Sequence, residues 1–184
     1  MNDVDMITGF VTKKILELNQ DINWVKNILT KLRRGVGKTP GETPEIFEAA
    51  LGGFPKALAG EGEPSQAENA VYTALTLYAL SKLGKDDDSH KAGGDSFGRA
   101  VHKLVLNDKN RERTISTRFN AAITASDIAG FAHHAAGLVK MFKSGIPLIK
   151  LDYAQFAADL YRLFSQDTRN EVLYNWMSDF TKAG

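Results

Sequence analysis

Apolar residues recur along this chain at three- and four-residue spacing, and no segment alternates as a half-buried strand would. The pattern predicts a first helix over about residues 3–18 and a second from near Asp21 to Arg34, with Gly35 as its left-handed stop. Thr43-Pro44 supplies the N-cap and first-turn proline of a short helix through Leu51. Ser65-Gln66-Ala67-Glu68 is a capping box. It opens a long apolar helix through Val71, Leu75, Leu77, Leu80 and Leu83, stopped by Gly84. Further starts fall near Ser96, before Ile115, Phe119 and Ile123, at Ser126-Asp127, at Asp152 and at Thr168-x-x-Glu171.

About nine helices with short connections predict an all-α fold of two packed antiparallel lobes. The expected border divides an N-terminal lobe, residues 1–95, from a C-terminal bundle, residues 96–184. Gly35–Glu42, Gly52–Pro64 and Gly84–Asp95 read as loops, and the polar, glycine-rich third is expected to be mobile.

Composition narrows the function classes. Hydrophobic residues make up 43% of the 184, enough for a real interior, and there is no cysteine for disulfides, thiolate chemistry or cysteine-bound zinc. No apolar run reaches a membrane-spanning length, and the acidic N-terminus is unlike a signal peptide, so a cytoplasmic location is expected. Net charge is only +1, but its distribution is uneven. Between Asp21 and Glu42 stand Lys26, Lys31, Arg33, Arg34 and Lys38 with no acid. Between Asp127 and Asp152 stand His133, His134, Lys140, Lys143 and Lys150, again with none. A neutral total can therefore hide basic faces.

On a helical wheel the second helix sets Lys26, Lys31, Arg33 and Arg34 on one half, opposite Ile22, Trp24, Val25, Ile28, Leu29 and Leu32 as the core half. Such a cationic face is either a solvated helix end, favoured by the helix dipole, or a surface for a polyanion. Arg99 shares a helix surface with His102 and Lys103, and Arg111, Arg113 and Arg118 follow. Arginine grips phosphate through a two-pronged fork, lysine as a point charge. The aromatics occupy core-periodic positions, so backbone contact fits better than base stacking.

Catalytic chemistry finds little support. Gly35-Val36-Gly37-Lys38-Thr39 has Leu32 where a phosphate loop needs glycine, and it follows a helix rather than a strand. Adjacent His133 and His134 point in different directions on a helix, and no metal-binding pattern joins them to His90 or His102. Asp86-Asp87-Asp88 lacks calcium-loop spacing, no serine elbow occurs, and Asp152 and Asp159 read as cap and surface charges on one helix. No catalytic residue, metal or cofactor is expected.

Leu32-Arg33-Arg34-Gly35, Ser96-Phe97-Gly98-Arg99-Ala100, Arg118-Phe119, Leu151-Asp152-Tyr153 and Trp176-Met177-Ser178-Asp179-Phe180 come in an order that resembles the CasB family, the small subunit of the type I-E CRISPR Cascade complex. The resemblance spans nearly the whole chain. It implies a non-catalytic, all-α subunit present in two copies, touching the backbone and large subunits and its own second copy. It further implies a surface near guide RNA and target DNA that holds the opened strands while base pairing reads sequence, in antiviral defence. The family's basic residues carry over to Arg33, Arg34, Arg99 and Arg118, whereas Lys31, Lys38, Arg111, Arg113, Lys140 and Lys143 come from charge pattern alone. Two other readings remain open: a helical protein-interaction adaptor without nucleic-acid affinity, and an enzyme, which would need an acid or histidine cluster that the sequence does not display.

Overall fold

Helix α4 (Gln66–Ser81) carries apolar or small side chains on every face of its last three turns, and from Ala70 to Ser81 every residue is buried. A helix that is apolar all round belongs at the centre of a bundle. In the computed structural model, which describes residues 1–82 and 88–182, α4 lies against α1 (Asp3–Leu18), α2 (Asn23–Arg33) and α3 (Pro44–Leu51). On its other sides it meets α7 (Ile128–Phe142) and α8 (Tyr153–Leu163). The remaining helices are α5 (Phe97–Asn107), α6 (Glu112–Ile123) and α9 (Arg169–Lys182). Short 3-10 turns occupy Lys56–Leu58 and Lys109–Arg111. The fold is all-α, with nine α-helices among the described residues. One apolar cluster runs from Ile7 in α1 to Trp176 in α9, so the halves 1–95 and 96–184 share a core.

The helix starts follow local chemistry. Ser65 accepts from the Glu68 amide while Glu68 accepts from the Ser65 amide, completing the capping box. Ser96, Asp127 and Asp152 cap α5, α7 and α8 through side-chain oxygens. At the start of α9 the Thr168 hydroxyl donates to the Arg162 carbonyl, and Glu171 pairs with Arg162 at 2.6 Å. These bonds tie α9 back to the end of α8.

Three expectations need correction. Residues 88–95 were expected in a mobile loop, but β1 (His90–Asp95) is a short strand bridged in parallel to Leu151. The Asp95 amide donates to the Lys150 carbonyl, the Leu151 amide to Ser89 and the Asp152 amide to Asp95. The Tyr153 amide donates to Nδ1 of His90 at 3.1 Å, so four backbone groups around the α8 start are paired with this segment. The Gly84 stop and the acids Asp86 and Asp87 lie outside the described residues.

Gly35 is not a left-handed stop. It is buried, and a methyl group there would stand 2.5 Å from the Tyr72 hydroxyl oxygen and 2.8 Å from Cγ2 of Ile46. Glycine at this position lets the end of α2 close on α3 and α4. The left-handed residue is Gly37, at φ +77°. Finally, the apolar half of α2 is narrower than the wheel implies: Val25, Leu29 and Leu32 are buried, but Trp24 is 53% and Ile22 39% exposed.

In the C-terminal half, Phe97 lies among Phe119, Phe131, Phe156 and Trp176, with ring centroids 5.0–5.8 Å away. The Trp176 indole Nε1–H donates to Asp159 Oδ2 at 3.0 Å, and Gln155 donates to the other oxygen at 2.9 Å. Burial pushes the Asp159 carboxyl above its usual pKa, opposed by these two hydrogen bonds and by Arg162, while Asp152 adds to the rise. With the folded value above the unfolded one, this group's stabilising contribution is complete at low pH and is lost as pH rises through the folded value. Asp159→Asn, which keeps an oxygen for Trp176, should therefore gain stability relative to wild type between about pH 4 and about pH 7. Urea unfolding at both pH values measures this, and a pH-independent difference would refute it.

Candidate nucleic-acid interface

The cations predicted from sequence separate into those engaged by the fold and those left at the surface. Arg33 is engaged: its Nε donates at 2.8 Å to the carbonyl of Ala79, in the last turn of α4. The final carbonyls of a helix lack partners along their own axis and carry its negative end, so Arg33 caps α4 from α2. Partial burial holds its pKa below the ordinary guanidinium value, though the group stays charged. Lys31 faces Glu45 of α3 at 3.8 Å, and Lys26 pairs with Asp21 at 2.7 Å. Lys26 in turn holds the Asp21 carboxyl below its usual range. The acid-free stretch thus meets acids supplied from just outside it. Arg34, the C-cap of α2, and Lys38, just past Gly37, are exposed.

A second group sits on α5. The Ser96 hydroxyl accepts from the Arg99 amide and donates to Asp179 of α9 at 2.6 Å, fixing the first turn and leaving the Arg99 side chain exposed. Its helix neighbours are committed elsewhere. Lys103 is clasped by both Asp95 oxygens, at 2.8 and 2.7 Å, and Nδ1 of His102 donates to the Phe180 carbonyl at 2.7 Å. Of the three residues expected on one surface, Arg99 alone presents a cation unbound by a neighbour.

The third group lies along the α6–α7 hairpin. The short 124–127 connection makes the two helices antiparallel neighbours. Arg118 of α6 reaches across to α7, its Nη1 3.7 Å from Met141 Sδ. Lys140 is exposed one residue away. The antiparallel run sets Arg111 and Arg113 toward the end that carries Lys143, where the Ile146 amide donates to Asn107 Oδ1 at 2.9 Å. Five of the ten predicted residues therefore share one hairpin.

Among the described residues, no hydrogen bond or ion pair engages the side chains of Arg34, Lys38, Arg99, Arg111, Arg113 or Lys140. No group of three or more metal-ligating side chains occurs among them, and none of their helices is long and apolar enough to cross a membrane. Sequence reasoning missed the Asp95 clasp on Lys103 and the glycine beneath Arg118. The first was visible only as an acid and a lysine eight residues apart, across a helix start. The second carried a usable signal, a glycine in the middle of a helix.

The family described as CRISPR-associated protein Cse2 matches residues 29–180. Among solved structures, CasB from Thermobifida fusca is 25% identical, with TM-score 0.77 over 95% of this chain and 97% of that one. A Cse2-family CRISPR-associated protein from Thermus thermophilus is 20% identical, with TM-score 0.68 over 98% and 99%. M. ruber CasB is 20% identical, with TM-score 0.66 over 94% and 93%. No curated protein sequence matches.

Proposed function

The chain belongs to the CRISPR-associated Cse2 family, and from that premise we propose that it is a non-catalytic small subunit of Cascade that holds nucleic-acid backbone without reading or cutting it. The observation that carries this reading is the set of exposed cations that no acid of the described residues neutralises, above all Arg34, Arg99 and the α6–α7 row of Arg111, Arg113, Lys140 and Arg118, the last of which donates only to the Met141 sulfur. Exposed arginines without an acidic partner gain by neutralising phosphates, with release of condensed counterions. Guide RNA and opened target DNA are the polyanions such a surface would meet, while base pairing supplies specificity. The partners in this reading are the backbone and large Cascade subunits and a second copy of the chain. Exposed Leu16, Ile22 and Trp24 near the α1–α2 turn supply apolar surface for protein contact.

Arg33 is a poor probe of this surface, since its removal also uncaps α4. The informative variant is Arg34→Ala/Arg99→Ala/Arg118→Ala. Binding to a generic duplex should weaken, and the log–log salt slope should fall by about 0.9 for each phosphate no longer neutralised. Unchanged affinity and slope in a folded variant would remove the backbone-binding reading. Co-purification with other Cascade subunits would then leave the protein-adaptor reading standing.

A further inference from the structure

Gly137 lies in the interior of α7, where glycine is the least favourable residue short of proline. Its surroundings account for it. A methyl group on residue 137 would stand 3.1 Å from Nη1 of Arg118, 3.4 Å from Cζ and 3.5 Å from Cδ. The arginine thus lays its guanidinium and the carbon next to it on the bare backbone of α7. One turn further along, Met141 offers its sulfur to Nη1 at 3.7 Å. Gly137 and Met141 are four residues apart and so share a face, and Lys140, three residues from Gly137, lies beside them.

We propose that Gly137 is a positioning residue: with Met141 it forms a seat that holds the Arg118 guanidinium flat across the α6–α7 hairpin, its free edge presented to a nucleic-acid phosphate. This rests on the reading of Arg118 as a backbone contact. An exposed arginine samples many rotamers, and ordering its fork for two parallel hydrogen bonds costs entropy on binding. A side chain already lying against a helix loses less, because the cost is met during folding. The thioether is a soft, weak acceptor, so it orients Nη1 without competing with an anion. A carboxylate at 141 would satisfy the guanidinium outright, as Asp95 does Lys103.

The seat makes stability and binding move in opposite directions. Gly137→Ala and Gly137→Leu introduce better helix formers, and the nearest obstacle is a flexible side chain rather than backbone. Melting temperatures should stay level or rise, by about 2–4 °C for alanine. Duplex affinity should fall, with the leucine variant approaching the loss of Arg118→Ala, about tenfold for one charge-assisted contact. Its salt slope should fall with it. In an Arg118→Ala background, Gly137→Leu should cost no further affinity.

Wild-type affinity and slope in Gly137→Leu, beside a weakened Arg118→Ala, would overturn the seat. An additive loss in the double variant would overturn it too, since leucine would then be acting elsewhere. If Arg118→Ala itself binds as wild type, the phosphate reading of Arg118 fails, and the seat's role with it.

Discussion

Gly98→Ala should destabilise the protein by about 3 kcal/mol, lowering the melting temperature by roughly 6–12 °C. Gly98 is in the first turn of α5, and a methyl group there would stand 2.0 Å from the carbonyl oxygen of Trp176 and 2.8 Å from its carbon. These are backbone atoms of α9, so no rotamer change relieves the clash and the two helices must separate. Around that contact the rings of Phe97, Phe119, Phe131, Phe156 and Trp176 are packed, and parting α5 from α9 opens gaps among them. Alanine is the better helix former, so propensity alone predicts the opposite sign. Thermal or urea unfolding decides, and a stability equal to or above wild type would disprove the contact.

The second large effect is at the tryptophan itself. Trp176→Ala should cost about 3–5 kcal/mol, because it removes a fully buried ring from an aromatic cluster and leaves a cavity. Trp176→Phe keeps most of the ring packing but removes the Nε1–H donor to Asp159, and should cost about 1–3 kcal/mol. That donor opposes the burial effect on the carboxyl, so Trp176→Phe should also raise the Asp159 pKa further. Its stability should then fall more steeply than wild type's as pH rises from acid toward neutral. Urea unfolding of the two variants across that range measures both effects. A phenylalanine variant as stable as wild type at every pH would mean that the indole hydrogen bond contributes nothing.

The helices were legible in the sequence because their signals are local. Ser65 with Glu68, Ser96, Asp127 and Asp152 each satisfy amides within three residues, so the sequence alone contains both partners. β1 was not legible: His-Lys-Ala-Gly-Gly-Asp has no alternation, and its bonds run to residues 150–153. The candidate site divides the same way. Arg34, Arg99 and Arg118 could be named from resemblance and charge. The fate of Arg33 depended on a carbonyl 46 residues away, and that of Lys31 on an acid in the next helix. The two motif glycines also read differently in three dimensions. Gly35 and Gly98 both mark close approaches between helices, so part of the family resemblance records packing rather than contact with a ligand.

The pairing of β1 with residues 150–152 has a topological consequence. Asp95 and Leu151 meet, so α5, α6 and α7 are strung between two points of the chain that touch, while α7 itself packs on α4. That stretch is a closed loop of chain whose helices still share the core with α4, α8 and α9. Closing so long a loop costs chain entropy that grows only slowly with its length, so residues added at its outer turns should be cheap to accommodate. Length added at the turns between α5, α6 and α7 can then be absorbed without relaying α1, α4 and α8, and in the proposed reading it would change how far the α6–α7 cations extend while the core packing of α7 on α4 stays as it is.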